Sequence, residues 1–203
     1  MAVHIITGLP GSGKTYFLVT KALKFLAEGR VVYSNFWIDW SGSGLVYWEK
    51  VQELQNVKDG VIIMDEAQIY FNARKWDFLD EKLQYKLQQH RKDGLDVWGS
   101  VQNIKRLDVV MRELVSHYYE VKRIGSLCWL RRFHIYDSEK MKREKLDSKW
   151  FILRKKFFQK YDTLKKIVPD CYGDLVVDSK MVEMKKCSAG RWHLVNQRSD
   201  SNK

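Results

Sequence analysis

Gly8-Leu9-Pro10-Gly11-Ser12-Gly13-Lys14-Thr15 meets every fixed position of the pattern G-x-x-x-x-G-K-[ST], and Val3-His4-Ile5-Ile6-Thr7 before it has the make-up of a strand. Glycines at 8, 11 and 13 let successive backbone N–H groups turn inward to cradle phosphate oxygens. A helix beginning at the end of such a loop aims its positive end at the anion. From Thr15 the chain supplies one, with Leu18, Ala22 and Leu26 four apart and Gly29 as a stop. In this loop Lys14 is the residue expected to reach β- and γ-phosphates, and the Thr15 hydroxyl to join the coordination of Mg²⁺.

A phosphate loop of this kind needs a carboxylate at the end of a buried strand. Gly60-Val61-Ile62-Ile63-Met64-Asp65-Glu66 fits, since an apolar run without alternation suits a central parallel strand covered on both faces. Asp65 is placed to hold Mg²⁺, and Glu66 to orient or deprotonate the attacking water.

With 203 residues and 45% hydrophobic content, the chain can build one α/β domain with a sizeable core and a small annex. No apolar stretch is long enough for a transmembrane helix and no signal-peptide pattern opens the chain, so the expected location is the cytoplasm. Cys128, Cys171 and Cys187 are scattered without metal-ligand spacing and read as free thiols.

The net charge of +11 is uneven: +2 over residues 1–124 and +9 over residues 125–203. The excess is sharpest over residues 139–166, where Lys and Arg alternate with Trp150, Phe151, Phe157, Phe158 and Tyr161. Such a stretch suits a nucleic-acid backbone or anionic lipid headgroups, and charge alone does not choose between them.

The pattern further predicts a strand over 30–35, a short helix over 46–55, a helix over 77–93 stopped by Gly94, a strand over 95–102, a short helix over 107–114 and a strand over 116–121. This alternation points to a mostly parallel sheet flanked by helices. Residues 127–136 and 150–158 read as strands of the annex, with the stretch between them open to either form. The expected organisation is a P-loop domain over 1–124, a basic aromatic annex over 125–169 and a polar, partly flexible tail over 170–203. Gln102, at the carboxyl end of the strand placed beside the Asp65 strand, is a candidate γ-phosphate sensor. Gln68, His90 and Arg91 are assigned to the same neighbourhood, with Arg91 a candidate arginine finger acting on a neighbouring subunit.

Residues 6–15, Val61-Ile62-Ile63-Met64-Asp65-Glu66-Ala67-Gln68, and His90-Arg91-Lys92-Asp93-Gly94-Leu95-Asp96-Val97-Trp98 running on to Gln102 together resemble the Zot-like proteins. These are the P-loop morphogenesis ATPases of filamentous phages, and the resemblance spans roughly residues 3–124. It implies a RecA/FtsK-HerA-like α/β fold and ATP with Mg²⁺ as ligands, bound by residues 8–15 and by Asp65. It further implies a homo-oligomer working with phage assembly proteins at the host inner membrane to drive virion assembly and export. Family members commonly continue into a membrane-spanning segment, which is not read in this sequence. A DNA-translocating or genome-packaging ATPase and a non-hydrolysing nucleotide-gated adaptor are the competing expectations.

Overall fold

The apolar run at Gly60–Met64 forms β4, buried along its whole length, in the middle of an eight-stranded sheet. A computed structural model describes residues 1–71, 81–137, 142–161, 184–186 and 192–194. In chain order the elements before β4 are β1 (Val3–Thr7), α1 (Lys14–Ala27), β2 (Val32–Ser34) and β3 (Leu45–Tyr47). After it come α2 (Glu81–Gln88), β5 (Leu95–Val101), α3 (Val109–Leu114), β6 (Val115–Ile124), β7 (Leu127–Asp137), β8 (Lys142–Ile152) and α4 (Lys155–Phe158). The sheet order is β3-β2-β4-β5-β1-β6-β7-β8. Pairing is parallel from β3 through β6 and antiparallel from β6 through β8. The mostly parallel α/β sheet read from the sequence is therefore present.

Alternate residues of the strands feed two cores. Ile6, Val61, Ile63, Trp98, Tyr119 and Val121 pack with Leu18, Val19, Ala22 and Leu26 of α1. Val3, Ile5, Ile62, Met64, Val97 and Val101 point the other way, onto Leu54, Phe71, Leu87, Leu107 and Met111. A period of two in the strands meeting a period of about 3.6 in α1 is what fixes this two-sided burial.

Three local expectations change. The helix expected over 46–55 is instead β3, parallel to β2, followed by a 3-10 turn over Val51–Asn56. The Glu53 carboxylate accepts from the Lys50 N–H at 2.8 Å, so the turn starts only there, while Val46 and Tyr47 keep the extended form they favour. Of the helix expected over 77–93, residues 77–80 lie outside the described residues, and α2 ends at Gln88. The strand expected over 150–158 ends at Ile152 and gives way to the single turn α4, and the open stretch before it is extended as β8.

Residues 1–169 form one compact unit, in which β7 and β8 extend the same sheet as β1. Residues 170–203 form a second, whose described part is an antiparallel pair of three-residue strands, Met184–Lys186 and Trp192–Leu194. The remainder of the tail, with Cys171 and Cys187, lies outside the described residues. Among the described residues, no helix is long and apolar enough to cross a membrane.

Candidate phosphate-binding site

β1 delivers Gly8 to the upper edge of the sheet, where no side chain fits. A Cβ there would stand 2.5 Å from the Val121 carbonyl oxygen and 2.6 Å from Ser12 Oγ. Gly11 and Gly13 carry φ of 72° and 97°, a region glycine enters at no steric cost. Gly13 is the N-cap of α1, no side chain caps the helix, and its first turn holds no acidic residue. The positive end of a 14-residue helix is left uncapped by side chains at the loop. Leu9 is highly exposed and Pro10 lies beside it at the loop tip, while Ser12 is buried.

Lys14 Nζ donates to the Gly8 and Leu9 carbonyls at 2.9 and 3.1 Å. Burial lowers its pKa, and the charges of Glu66 and Asp65 act in the opposite sense. Thr15 Oγ1 donates to Asp65 Oδ2 at 2.9 Å, so the end of the loop and the end of β4 meet directly. Both strands beside β4 contribute to holding Asp65. Asn35, just past β2, donates from Nδ2 to the Asp65 carbonyl at 2.9 Å and accepts the Asp65 N–H at 2.8 Å. Ser100 of β5 donates its hydroxyl to Asp65 Oδ1 and accepts the Glu66 N–H at 3.0 Å. Tyr161 lies in the same field: burial first, and then the Asp65 charge, push its pKa up to about 12.

Glu66 sits at φ 52°, ψ 47°, a left-handed conformation that costs a side-chain-bearing residue roughly 1 kcal/mol or more. Its Oε2 accepts from Gln68 Nε2. Gln102 follows β5, the strand between β1 and β4, and its Oε1 accepts from Arg106 at 2.8 Å. With residues 8–12 it lines a cleft of about 1010 Å³ that also takes in Tyr118, Glu120 and Arg131.

Arg91 and His90 stand elsewhere. They line a separate cleft of about 620 Å³ with Met1, Ala2 and His117, at the start of β1 and therefore at the opposite end of that strand from the loop. The placement of His90 and Arg91 beside their own chain's loop is thus corrected. A turn following α2 carries them back to the beginning of β5, not to its end.

The segment after β6 also reaches the loop. Cys128 Sγ donates to the Ser12 carbonyl at 3.4 Å, and a Cβ on Gly13 would stand 3.3 Å from that sulfur and 3.4 Å from Leu153. Tyr16, in the first turn of α1, donates to the Ile152 carbonyl at 3.2 Å and accepts the Arg154 N–H at 3.3 Å. The strand β8 and its continuation thus form a wall behind the loop.

This donor set fits a polyphosphate with a divalent cation. Among the described residues Ser12 Oγ is buried without a hydrogen-bond partner, Gly8 leaves no room for a side chain, and the Thr15 hydroxyl and Asp65 carboxylate offer adjacent hard oxygens. Asn35 and Ser100 are the site residues that sequence reasoning missed. Each is a small polar residue near the carboxyl end of a strand adjoining β4, and that position is the signal that could have found them.

The sheet order, the loop and the carboxylate at the end of β4 define the chain as a P-loop NTPase-like α/β protein. The family model of zonular occludens toxin (Zot) matches residues 38–166, and the chain belongs to this family. The matched span begins after the loop and runs on through β7, β8 and α4, beyond the segment on which the resemblance was read. The gene 1 proteins of Enterobacteria phage I2-2 and Salmonella phage IKe are 28% and 26% identical over 152 residues. Each alignment covers 63% of this chain and 42% of the relative, so the chain matches less than half of those proteins. The N-terminal domain of zonular occludens toxin from Neisseria meningitidis shares the fold at TM-score 0.55 and 24% identity, over 79% of this chain and 98% of that one. The genome packaging NTPase B204 of Sulfolobus turreted icosahedral virus 2, in complex with AMPPCP, shares it at TM-score 0.53 and 12% identity, over 72% and 97%.

Proposed function

We propose that this protein binds and hydrolyses ATP with Mg²⁺ and thereby drives the assembly and export of a filamentous phage or prophage virion. The observation that carries the reading is the Thr15–Asp65 hydrogen bond inside the cluster held by Asn35 and Ser100, because it joins loop and carboxylate in one preformed site. Lys14 would exchange its two carbonyl partners for phosphate oxygens. Thr15 and Asp65 would hold the cation, whose charge offsets that of the phosphates when bound. Glu66 would orient and deprotonate the attacking water, its direction set by the left-handed turn and by Gln68, and Gln102 would sense the terminal phosphate. Arg91, exposed and far from its own loop, would act only across a subunit boundary in a homo-oligomer. The working place would be the cytoplasmic face of the host inner membrane, among other phage assembly proteins, as the family and the gene 1 proteins of related phages suggest.

A DNA-translocating or packaging ATPase is the second reading, favoured by β8, an exposed edge strand carrying Lys142, Arg143, Lys145, Lys149 and Trp150. Of the stretch 139–166, residues 139–141 and 162–166 lie outside the described residues. A non-hydrolysing nucleotide-gated adaptor is disfavoured by the strained Glu66, which such a module would not require.

The test is steady-state ATP hydrolysis with and without single- and double-stranded DNA, beside Lys14→Ala and Glu66→Gln. Turnover that both substitutions abolish supports the ATPase. DNA stimulation moves weight to the packaging reading, and tight ATP binding with no turnover would leave the adaptor.

A further inference from the structure

Arg123 stands at the phosphate loop of its own chain. Its NH1 donates to the Gly11 carbonyl at 3.2 Å and its Nε to the Gly125 carbonyl. Gly125, at φ 61°, makes the two-residue turn between β6 and β7 and so anchors the guanidinium from its own hairpin. The cross-strand partner of Arg123 is Cys128, the residue whose thiol reaches the Ser12 carbonyl. Two residues back along β6, the Val121 carbonyl is what excludes a side chain at Gly8. Three groups of one hairpin therefore bear on the loop, at Gly8, Gly11 and Ser12.

The electrostatics separate Arg123 from the other cations nearby. Arg131, in the same cleft, is paired with the Glu120 carboxylate, which also takes Arg143 at 2.8 Å. Among the described residues no carboxylate forms an ion pair with Arg123, which bonds only neutral carbonyls and retains further N–H donors. Lys14, too, is held by loop carbonyls, those of Gly8 and Leu9. A carbonyl is a weaker partner for a cation than a phosphoryl oxygen, so both side chains are poised to exchange it for an anion.

We propose that Arg123 is a phosphate-binding residue acting in cis, which leaves the Gly11 carbonyl for a phosphate oxygen when a nucleoside triphosphate enters. This rests on the reading of residues 8–15 as a nucleotide loop. Because it stands at the phosphate loop, its contribution should grow with the number of phosphates.

The test is equilibrium binding of ATP, ADP and AMP to the full chain and to Arg123→Ala, Arg123→Lys and Lys14→Ala, with melting temperature as a control for folding. The Arg123 side chain is exposed, so Arg123→Ala should melt as the parent does. The expected result is a loss of about tenfold or more in ATP affinity for Arg123→Ala, a smaller loss for ADP, and partial recovery in Arg123→Lys. A purely structural role would weaken all three nucleotides alike, and that uniform loss would overturn the proposal. So would unchanged ATP affinity in Arg123→Ala beside a large loss in Lys14→Ala. If Lys14→Ala also binds ATP normally, the nucleotide loop itself is refuted and Arg123 with it.

Discussion

Thr15 and Asp65, 50 residues apart in the chain, meet through a 2.9 Å hydrogen bond in which the hydroxyl donates and the carboxylate accepts. The bond commits the hydroxyl proton to the carboxylate and leaves the Thr15 lone pairs beside an anionic oxygen, an arrangement suited to a hard cation. Asp65 also accepts from the Ser100 hydroxyl and the Glu66 N–H. Asp65→Asn would present N–H donors to groups that already donate. The expected outcome is a stability loss of roughly 1–3 kcal/mol in urea unfolding and a fall of about 100-fold or more in Mg²⁺-dependent ATP turnover. Turnover at the parent's level in a folded Asp65→Asn would remove Asp65 from the site.

Glu66 sets stability against activity. Its φ of 52° is cheap for glycine and costly for a glutamate. Glu66→Gly should therefore raise the unfolding free energy by about 0.5–1 kcal/mol while abolishing turnover. Glu66→Gln keeps the strain and should lose turnover without the gain. Denaturant unfolding and hydrolysis assays on the same two variants separate these outcomes, and a Gly variant less stable than the parent would show that the turn is not strained.

What was legible in the sequence was local. The loop declares itself through eight consecutive residues, and β4 through an apolar run ending in Asp65, because each pattern carries its own physical reason. Asn35 and Ser100 acquire their site roles only through β2 and β5 flanking β4, so reading them requires the strand order as well as the residue type. The same holds for Arg123, which gains its role only when β6 lies beside β1. The continuity of the basic segment with the sheet did leave a trace. Ile124-Gly125-Ser126-Leu127 is a two-residue hairpin turn between apolar flanks, and reading it would have carried the sheet onward from β6 into β7. His90 and Arg91 lie close in sequence to Gln102 but at the opposite end of β5, a separation that only the direction of that strand reveals.

Gly8 tests how tightly the hairpin holds the loop. A Cβ there would meet a backbone carbonyl at 2.5 Å, and backbone cannot move aside as the end of a side chain can. Gly8→Ala should cost about 1–3 kcal/mol in unfolding free energy. Gly11→Ala meets nothing within 4 Å and should cost only the strain of its φ of 72°, about 1 kcal/mol. Equal losses at the two positions would mean that the contact between β6 and the loop is looser than described.

His4 gives the fold a dependence on pH of defined sign. Its ring stacks on Trp98 at 3.9 Å and 10°, with His117 at 4.9 Å. Burial first, and then the charge of His117, lower its pKa from 6.5 to about 3, with Asp96 opposing. The unfolded chain takes up a proton near pH 6.5 that the folded chain refuses until about pH 3, so protonation favours unfolding. The contribution is complete above pH 6.5 and is lost progressively as the pH falls toward 3. Lowering the pH from 7.5 to 5.5 should thus cost about 1 kcal/mol from His4 alone, with His117, whose pKa is also lowered, adding in the same direction. His4→Phe keeps an aromatic ring against Trp98 and removes the titration, so its unfolding free energy should fall less over the same interval. Parallel profiles for the parent and His4→Phe would show that the His4 proton is not what the fold excludes.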